Sequence, residues 1–434
     1  MSKKLWSMIA VLMVATMIIS ACAPAAAPAP TQAPAQPAPV QPAPAEPTKA
    51  PAPAEPTKAP EPAKQFTFGM ILVGPQNDKG WSQAHFEAGQ YLEKKLGAKM
   101  ITIDKVNPAD RPGTTVDQVA ADMIAQGAQM VFATSDDMKD GALLAAENNP
   151  KIPMIWASGD SAWDQGKAYA KLPNLGNIMG KMEYGKMIAG CAAALTTQKA
   201  SIGYLGPLIN DETRRLVNSA YLGARYCWEK YRGKPAAELK FEVKWIGFFF
   251  HIPGVTLDPT QVANEFFDTG VDVLLSGIDT TEALVVTGQR SDKGDTVWAI
   301  PYDYKGACDQ APKICLGVPY FNWGPAYLKA AQAAIDGSFK ATFEWNGPDW
   351  KDINNPDTSA VGFVKGTALS ADNAKKLDEF TAGLADGSIN LFKGPLNFQD
   401  KSVFLKDGEV ATDLQIWYTP QLLENMLGAS VATK

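Results

Sequence analysis

From residue 66 onward, short apolar runs alternate with longer segments in which apolar residues recur at helical spacing. The short runs are typical of buried strands, and the longer segments are typical of amphipathic helices. Strands that alternate with helices favour parallel sheets covered by helices on both faces. The pattern predicts strands at 68–73, 100–103, 130–134, 153–157, 202–205, 243–247, 271–276, 297–301 and 314–319, and helices at 81–96, 115–126, 141–148, 182–196, 212–231, 259–269, 281–291 and 324–336.

The predicted strands are too numerous for one compact sheet, so their order predicts an α/β fold with two doubly wound lobes. In such sheets ligands bind beyond the carboxyl ends of the strands, and two facing lobes place those ends across one interlobe cleft. The C-terminal part is less regular: 370–386 is predicted helical, and 394–404 and 408–417 are predicted as strands or loops. We expect the first lobe at 66–199, completed by about 322–345 and part of the C-terminal region, and the second at 200–320, completed by part of 346–434.

The first 22 residues have the pattern of a targeting segment. Lys3 and Lys4 precede an apolar run at 5–19 that is too short to span a bilayer comfortably. The run ends in Ile-Ser-Ala-Cys and resembles a lipobox, the site at which bacterial lipoproteins are processed and lipidated. We therefore expect 1–22 to be a lipoprotein signal peptide and Cys22 to anchor the protein at the outer face of the cell membrane. The alternative is an ordinary secretory signal that ends near a chance cysteine.

Residues 23–64 consist almost wholly of Ala, Pro, Gln, Glu, Thr and Lys. A nine-residue unit, Pro-Ala-Pro-Ala-Glu-Pro-Thr-Lys-Ala, occurs at 42–50 and again at 51–59. Such a composition cannot bury a core, so it predicts an extended, disordered tether. At about 3.1 Å per residue in polyproline conformation, the tether reaches on the order of 100 Å.

The net charge and the small number of histidines reduce the classes of function that the sequence allows. The net charge of −6 argues against nucleic acid as a partner, because a phosphate-binding surface needs a basic excess. The chain has only His85 and His251, no phosphate loop and no metal-binding motif, so we expect neither a metal site nor a cofactor. The only carboxylates grouped for catalysis are Asp136, Asp137 and Asp303, and no nucleophile motif accompanies them.

Four cysteines follow Cys22, and four cysteines allow three full pairings. Cys308 and Cys315 bracket a short loop, so we expect a disulfide between them in an exported protein. Cys191 lies in an apolar run and is predicted to be a buried small hydrophobic residue.

Four motifs in order resemble those of the basic membrane protein family, lipoprotein solute receptors with the type I periplasmic binding protein fold. Together they extend the resemblance from about residue 66 to the end of the chain. They are Gly-Pro-Gln-Asn-Asp-Lys-Gly-Trp-Ser-Gln-Ala-His at 74–85, Ile-Gly-Tyr-Leu-Gly-Pro at 202–207 followed by Arg214 and Arg215, Ala-Ile-Pro-Tyr-Asp at 299–303, and Phe-Asn-Trp-Gly-Pro-Ala-Tyr at 321–327.

The resemblance implies a purine ring held between two aromatic side chains, one from each lobe. Trp81 and Phe249 match those aromatics, and Asp303 matches an acid that receives ligand hydroxyl or amino groups. Lys305 stands where the family often has a second acid, and His251 and Tyr320 also depart from its pattern, so the ligand can differ. The expected ligand-binding residues are Trp81, Phe249, Asp303, Asp78, Ser135, Asp136, Tyr302, Asn322 and Trp323.

Several of these residues also have structural interpretations. Trp81 can pack on the sheet as a core residue, Asp136 and Asp137 can cap the following helix, and Asp303 can form a turn. The segment that begins at Asn322 can serve only as a helix start and hinge.

The sequence therefore predicts a monomeric, non-enzymatic receptor that captures a small solute, a purine base or nucleoside, for the permease of an ABC importer. Two alternatives remain open. One is an exported enzyme that processes nucleosides, and the other is a receptor that reports its ligand to a signalling partner.

Overall fold

The computed structural model describes residues 65–432. The predicted signal peptide, the lipidation site at Cys22 and the tether up to residue 64 lie outside the described residues. No helix in the described part is long and apolar enough to cross a membrane.

The described chain alternates strands and helices in the order that the hydrophobic pattern predicts, and each predicted strand and helix overlaps an observed one. Short 3-10 turns lie at Asp136–Met138, Ala236–Glu238 and Ala307–Gln310. The strands are β1 (Thr67–Ile71), β2 (Lys99–Ile103), β3 (Val131–Ala133), β4 (Met154–Ala157), β5 (Leu175–Gly180), β6 (Ser201–Gly206), β7 (Lys240–Trp245), β8 (Val273–Ser276), β9 (Trp298–Ile300), β10 (Gly317–Phe321), β11 (Phe343–Asn346), β12 (Val361–Lys365), β13 (Leu396–Asn397) and β14 (Val403–Leu405). The helices are α1 (Trp81–Leu96), α2 (Val116–Ala125), α3 (Lys139–Asn148), α4 (Met182–Thr196), α5 (Asp211–Arg232), α6 (Pro259–Asp268), α7 (Glu282–Asp292), α8 (Gly324–Ile335), α9 (Ala371–Ala385) and α10 (Asp413–Trp417).

Two parallel sheets confirm the α/β fold with two lobes. The first lobe is built on the six-stranded sheet β11-β5-β4-β3-β1-β2, with α1, α2, α3 and α8 packed on it. The second lobe is built on the four-stranded sheet β7-β6-β8-β9, with α4, α5, α6 and α7 as its main helices. Apolar side chains fill separate cores around each sheet, as expected for strands buried on both faces.

Strand β5 is fully buried in the first sheet, although the hydrophobic pattern did not predict it. Its sequence contains two glycines and Asn177, residue types that disfavour strands. The Asn177 side chain accepts a hydrogen bond from the backbone N–H of Ala162 at 2.6 Å and donates to the carbonyl of Trp156 at 3.1 Å. A polar residue whose hydrogen bonds are met inside the fold can thus occupy a central strand.

Helices α4 and α5 pack closely in the second lobe. A Cβ at Gly190 of α4 would lie only 1.8 Å from the carbonyl oxygen of Ala220 on α5, so glycine permits this approach. At the next residue of α4, Cys191 forms a disulfide with Cys227 of α5. Cys191 is buried as predicted, but it is disulfide-bonded and not a free small hydrophobic residue, because packing brings two cysteines 36 residues apart into contact. The structure also contains a disulfide between Cys308 and Cys315.

Antiparallel strands β10 and β12 connect the lobes. Cys315, just before β10, pairs with Ala299 in β9 of the second sheet, whereas Phe321 at the end of β10 belongs to the core of the first lobe.

Near the C terminus, β13 and β14 pair within the region predicted as strands or loops. The segment 408–417 was predicted in the same way, but α10 begins there because Thr412 and Gln415 form a reciprocal capping box.

Candidate functional site

A cavity lies between the lobes, and the segments that line it follow the carboxyl ends of strands from both sheets. This is the position that doubly wound sheets use for ligands, because loops from several parallel strands meet there. The first lobe contributes segments after β1, β3 and β4, and the second contributes segments after β6, β7, β8 and β9. The lining residues are Trp81, Ser135, Asp136, Ser158, Tyr204, Pro207, Glu212, Thr213, Leu216, Phe249, Gly277, Asp279 and Tyr302.

Trp81 is the first residue of α1 and one wall of the cavity. Its indole N–H donates to the carbonyl of Thr134 at 2.5 Å, and its ring packs edge-on against Phe321 and Trp323. These contacts fix the orientation of the ring. Trp81 is thus both a core residue and a cavity residue, so the two interpretations of this position do not exclude each other.

Asp78 positions the start of α1 and does not line the cavity. Its carboxylate accepts hydrogen bonds from the backbone N–H groups of Gly80, Ser82 and Gln83 at 2.8, 2.9 and 3.0 Å. Backbone N–H groups in the first turn of a helix lack helical partners, and a nearby carboxylate satisfies them. Asp78 therefore stabilises the first turn of α1, the turn in which Trp81 lies.

Phe249 lines the cavity from the second lobe, in the loop that follows β7. Its carbonyl accepts a hydrogen bond from the backbone N–H of Asp279 at 2.8 Å, which ties this loop to the one after β8. The structure thus brings Trp81 and Phe249 to the same cavity, one from each lobe.

Ser135 and Asp136 follow β3 and line the first-lobe side. The hydroxyl of Ser135 accepts a hydrogen bond from the backbone N–H of Asp137 at 3.3 Å, so Ser135 is the capping residue of this turn. Asp136 accepts a hydrogen bond from the side chain of Asn210 at 3.4 Å, a contact that reaches across to the second lobe.

Tyr302 lines the cavity, whereas Asp303 lies outside its wall, fully buried and with a left-handed backbone φ of 71°. Within the described part of the chain, neither carboxylate oxygen of Asp303 has a hydrogen-bond partner. Burial raises the pKa of Asp303 well above its usual value, and the nearby Lys186 opposes that shift. Lys186 is also buried, with Nζ 3.2 Å from the centre of the Tyr302 ring and donating to the carbonyl of Ser276 at 2.7 Å.

Asn322 and Trp323 also lie outside the cavity wall. The Asn322 side chain donates to the carbonyls of Pro356 and Ser359 at 3.0 and 2.7 Å, which holds the crossing segment between the lobes. Trp323 stacks on the buried His85 with 4.3 Å between ring centres and packs behind Trp81. Their placement matches the structural interpretation of this segment as a helix start and connection.

A comparison with protein families decides the class of this molecule. Residues 66–381 match the family model described as ABC transporter substrate-binding protein PnrA-like. The chain belongs to this family. The substrate-binding proteins of ABC importers capture solutes outside the cytoplasm, so this chain is an extracytoplasmic solute-binding component of an ABC transporter.

Individual relatives agree with the family assignment. A purine-binding protein of Brucella abortus is 29% identical over 351 residues, which cover 80% of this chain and 88% of that protein. A Haloferax volcanii protein named as a candidate ABC transporter glucose-binding protein is 24% identical over 279 residues, or 64% of this chain and 63% of that one. The crystal structure of a solute-binding protein from Aeropyrum pernix superposes with a TM-score of 0.58 at 12% identity, covering 77% of this chain and 93% of that chain.

Sequence reasoning missed several residues that line the cavity of this substrate-binding protein. Ser158 comes directly after β4, Asp279 is the third residue after β8, and Glu212 lies in the first turn of α5. Their positions after predicted strands were the available signal, because parallel strands direct such residues to the ligand edge. Burial raises the pKa of Glu212 to about 7 and raises the pKa of Asp279 well above its usual value.

Within the described residues, no group of three or more His, Cys, Asp or Glu side chains is arranged to hold a metal ion. The cavity wall presents four aromatic side chains, several hydroxyls and carboxyl groups. Such a wall can stack on a planar ligand and accept hydrogen bonds from its edge.

Proposed function

We propose that this protein captures a purine base or nucleoside between its lobes and delivers it to an ABC permease. The observation that carries the proposal is that one cavity receives Trp81 from the first lobe and Phe249 from the second. Stacking of a planar ring on aromatic side chains adds roughly 0.5–1.5 kcal/mol per pair beyond the area buried. The ligand of the Brucella relative, given in its name as a purine, supports this choice.

The cavity is lined by residues of both lobes, so a small solute bound in it contacts both. A ligand that contacts both walls favours the closed arrangement over an open one, because it gains the contacts of both lobes only when they meet. Both walls come from one chain, so we propose that a monomer binds the ligand and offers its closed form to the permease.

Calorimetry on ligand-free protein tests the solute class. We expect binding of at least one among adenine, adenosine, hypoxanthine and guanosine, and no binding of glucose. Phe249→Leu should weaken purine binding by about 1–3 kcal/mol, because it removes one stacking wall. Phe248→Leu is the matched control, since its ring packs on Phe249 but does not line the cavity. Binding of glucose alone, or equal purine affinity for both variants, would contradict the proposal.

We further propose that the protein performs no chemistry on its ligand. Asp136, Glu212 and Asp279 surround the cavity, but among its described lining residues there is no histidine, cysteine or lysine to serve as a base or nucleophile beside them. Incubation with adenosine and guanosine, followed by chromatography, should return the nucleosides intact. Release of free base by wild type but not by Asp279→Asn would favour a nucleoside hydrolase.

We propose that the protein is held at the membrane by a lipid on Cys22, on the strength of the Ile-Ser-Ala-Cys sequence that ends the apolar run at 5–19. The Cys22→Ala variant should leave the membrane fraction and keep its affinity for the ligand. The Cys22→Ser variant should behave in the same way. Equal membrane association of wild type and both variants would reject the lipid anchor.

A further inference from the structure

The turn that follows β4 brings Ser158 to the interlobe cavity. β4 ends at Ala157, and Ser158 is the next residue and lines the cavity from the first lobe. The backbone N–H of Ser158 donates to the carbonyl of Ile178 in β5 at 3.1 Å. The indole N–H of Trp156 in β4 donates to the carbonyl of Ser135, another residue of the cavity wall, at 2.8 Å. The first sheet therefore fixes the place of Ser158 in the wall.

The backbone of Ser158 is left-handed, with a φ of 66°. Glycine adopts this conformation freely, whereas a residue with a Cβ rarely does. The next residue is Gly159, where an added Cβ would lie 2.2 Å from the ring of Trp156. The turn thus has a glycine where a side chain would not fit and a serine where the backbone conformation favours glycine. Backbone conformations of this kind are concentrated at binding and active sites.

The hydroxyl group of Ser158 has no hydrogen-bond partner within the described part of the chain. The residue is almost completely buried, with 6% of its surface exposed. Other polar side chains of the same turn are satisfied. Asp160 accepts a hydrogen bond from Tyr418, and the Ser161 hydroxyl donates to the side chain of Asn177. A buried hydroxyl without a partner is costly, so Ser158 combines an unfavourable backbone with an unsatisfied polar group.

Ser201 shows that an unsatisfied hydroxyl alone does not indicate a ligand. Its hydroxyl is also buried without a partner among the described residues. Ser201, however, is the first residue of β6, at the amino end of the strand, and does not line the cavity. Ser158 differs because its unsatisfied hydroxyl and its left-handed backbone occur together in the cavity wall.

We infer that Ser158 is a ligand-binding residue, and that its hydroxyl forms a hydrogen bond with the bound purine or with its ribose. This inference rests on the proposed function and adds a polar contact from the first lobe to it. A hydroxyl can donate or accept, so it can pair with a ring nitrogen, an amino or oxo group, or a ribose hydroxyl. The bound solute supplies the partner that the surrounding protein does not.

Ser158→Ala removes the hydroxyl and keeps the Cβ. Calorimetry on the full chain, freed of bound ligand, should show an affinity about 3- to 10-fold lower than that of wild type, as expected for one neutral hydrogen bond. Adenine and adenosine distinguish the two sources of the contact. A loss with adenine places the contact on the purine ring, whereas a loss confined to adenosine places it on the ribose.

Ser158→Gly separates binding from structure. Glycine adopts the left-handed conformation without a steric cost, so the ligand-free variant should melt at a temperature no lower than that of wild type. Its affinity should nevertheless fall by at least as much as that of Ser158→Ala. A purely structural role would leave the affinity unchanged. Ser201→Ala is the matched control, because it removes a buried and unsatisfied hydroxyl outside the cavity and should keep wild-type affinity.

The outcomes separate this inference from the proposed function. Wild-type affinity of both Ser158 variants for adenine and adenosine would overturn the role of Ser158 and leave purine capture intact. An equal loss in Ser201→Ala would also overturn that role, because the effect would then not be specific to the cavity. Absence of purine binding by wild type would overturn both. If Ser158→Ala does not fold, as judged by its thermal transition, Ser158→Gly decides the inference.

Discussion

The backbone N–H of Trp81 donates to the carbonyl of Asp279 at 3.3 Å, which joins the two lobes at the edge of the cavity. Trp81 begins α1, and the N–H groups of a first helical turn need acceptors from outside the helix. Gly80 lies against the same carbonyl, where an added Cβ would come within 1.7 Å of the oxygen. This contact between the lobes therefore depends on the absence of a side chain at position 80.

Gly80→Ala should hold the lobes apart. The new methyl group cannot be accommodated against backbone, so the closed form becomes rarer and the apparent affinity for the ligand falls with it, by about tenfold or more. Small-angle scattering with saturating ligand should show less compaction than in wild type. Gly347→Ala is the control, because a Cβ there meets nothing within 4 Å. Wild-type affinity and compaction in Gly80→Ala would reject the closing role of this contact.

Removing one partner of the buried ion pair between Arg215 and Glu183 should strongly lower the free energy of unfolding. Nε of Arg215 lies 2.7 Å from a Glu183 oxygen, and both side chains are almost completely buried. Arg215→Met would leave the Glu183 carboxylate buried without its partner, and the free energy of unfolding should fall by about 3–5 kcal/mol. Urea titration measures this loss.

Two further variants distinguish the effect of an unpaired buried charge from the effect of lost side-chain packing. Adding Glu183→Gln to Arg215→Met should recover part of the loss, because the unpaired charge is removed. Lys329→Met, which breaks the exposed pair with Glu344, should cost at most about 1 kcal/mol. A double variant as unstable as Arg215→Met alone would contradict the explanation by charge.

The two disulfides should contribute unequally to stability. Cys191 and Cys227 close a loop of 36 residues, whereas Cys308 and Cys315 are only 7 apart. A longer loop removes more entropy from the unfolded chain, so replacing the first pair by alanine should cost roughly 1 to 2 kcal/mol more than replacing the second. Urea unfolding of the two double variants under non-reducing conditions compares them directly. An equal or reversed order would show that native packing outweighs loop length.

Glu212 should make the ligand-free protein less stable as the pH rises. Burial raises the pKa of Glu212 to about 7 from a usual value of 4.5. The folded state therefore holds this proton more tightly than the unfolded state, and the stabilisation is complete below about pH 4.5 and lost as the pH rises through about 7. Lys186, whose pKa burial lowers to about 7, acts in the opposite direction between that value and 10.5.

Glu212→Gln isolates this effect, because glutamine resembles the protonated side chain. The melting temperature of the variant should exceed that of wild type at pH 8, and the difference should shrink toward pH 4.5. Lys186 is present in both proteins, so comparison at each pH largely removes its contribution. Glu238→Gln, at an exposed position, controls for the loss of one negative charge. A difference that stays constant with pH would contradict this account of Glu212.

Local patterns in the sequence determined the order of strands and helices. Residues 81–96 and 182–196 were predicted as helices, and α1 and α4 have those bounds. Helical periodicity and capping are properties of neighbouring residues, so a short window of sequence contains them. The two-lobed α/β fold followed from that order, and the resemblance to the family implied Trp81, Ser135, Asp136, Phe249 and Tyr302, all of which line one cavity.

The tertiary structure alone decided which residues meet. Asn177 of β5 finds hydrogen-bond partners inside the first lobe, and Cys191 pairs with Cys227 because α4 packs on α5. Asp303 is fully buried outside the cavity wall, whereas Asp279 lines the cavity and its backbone bonds to those of Phe249 and Trp81. Distances between side chains far apart in the chain depend on how the lobes pack and close, and no local pattern of apolar and polar residues contains that information.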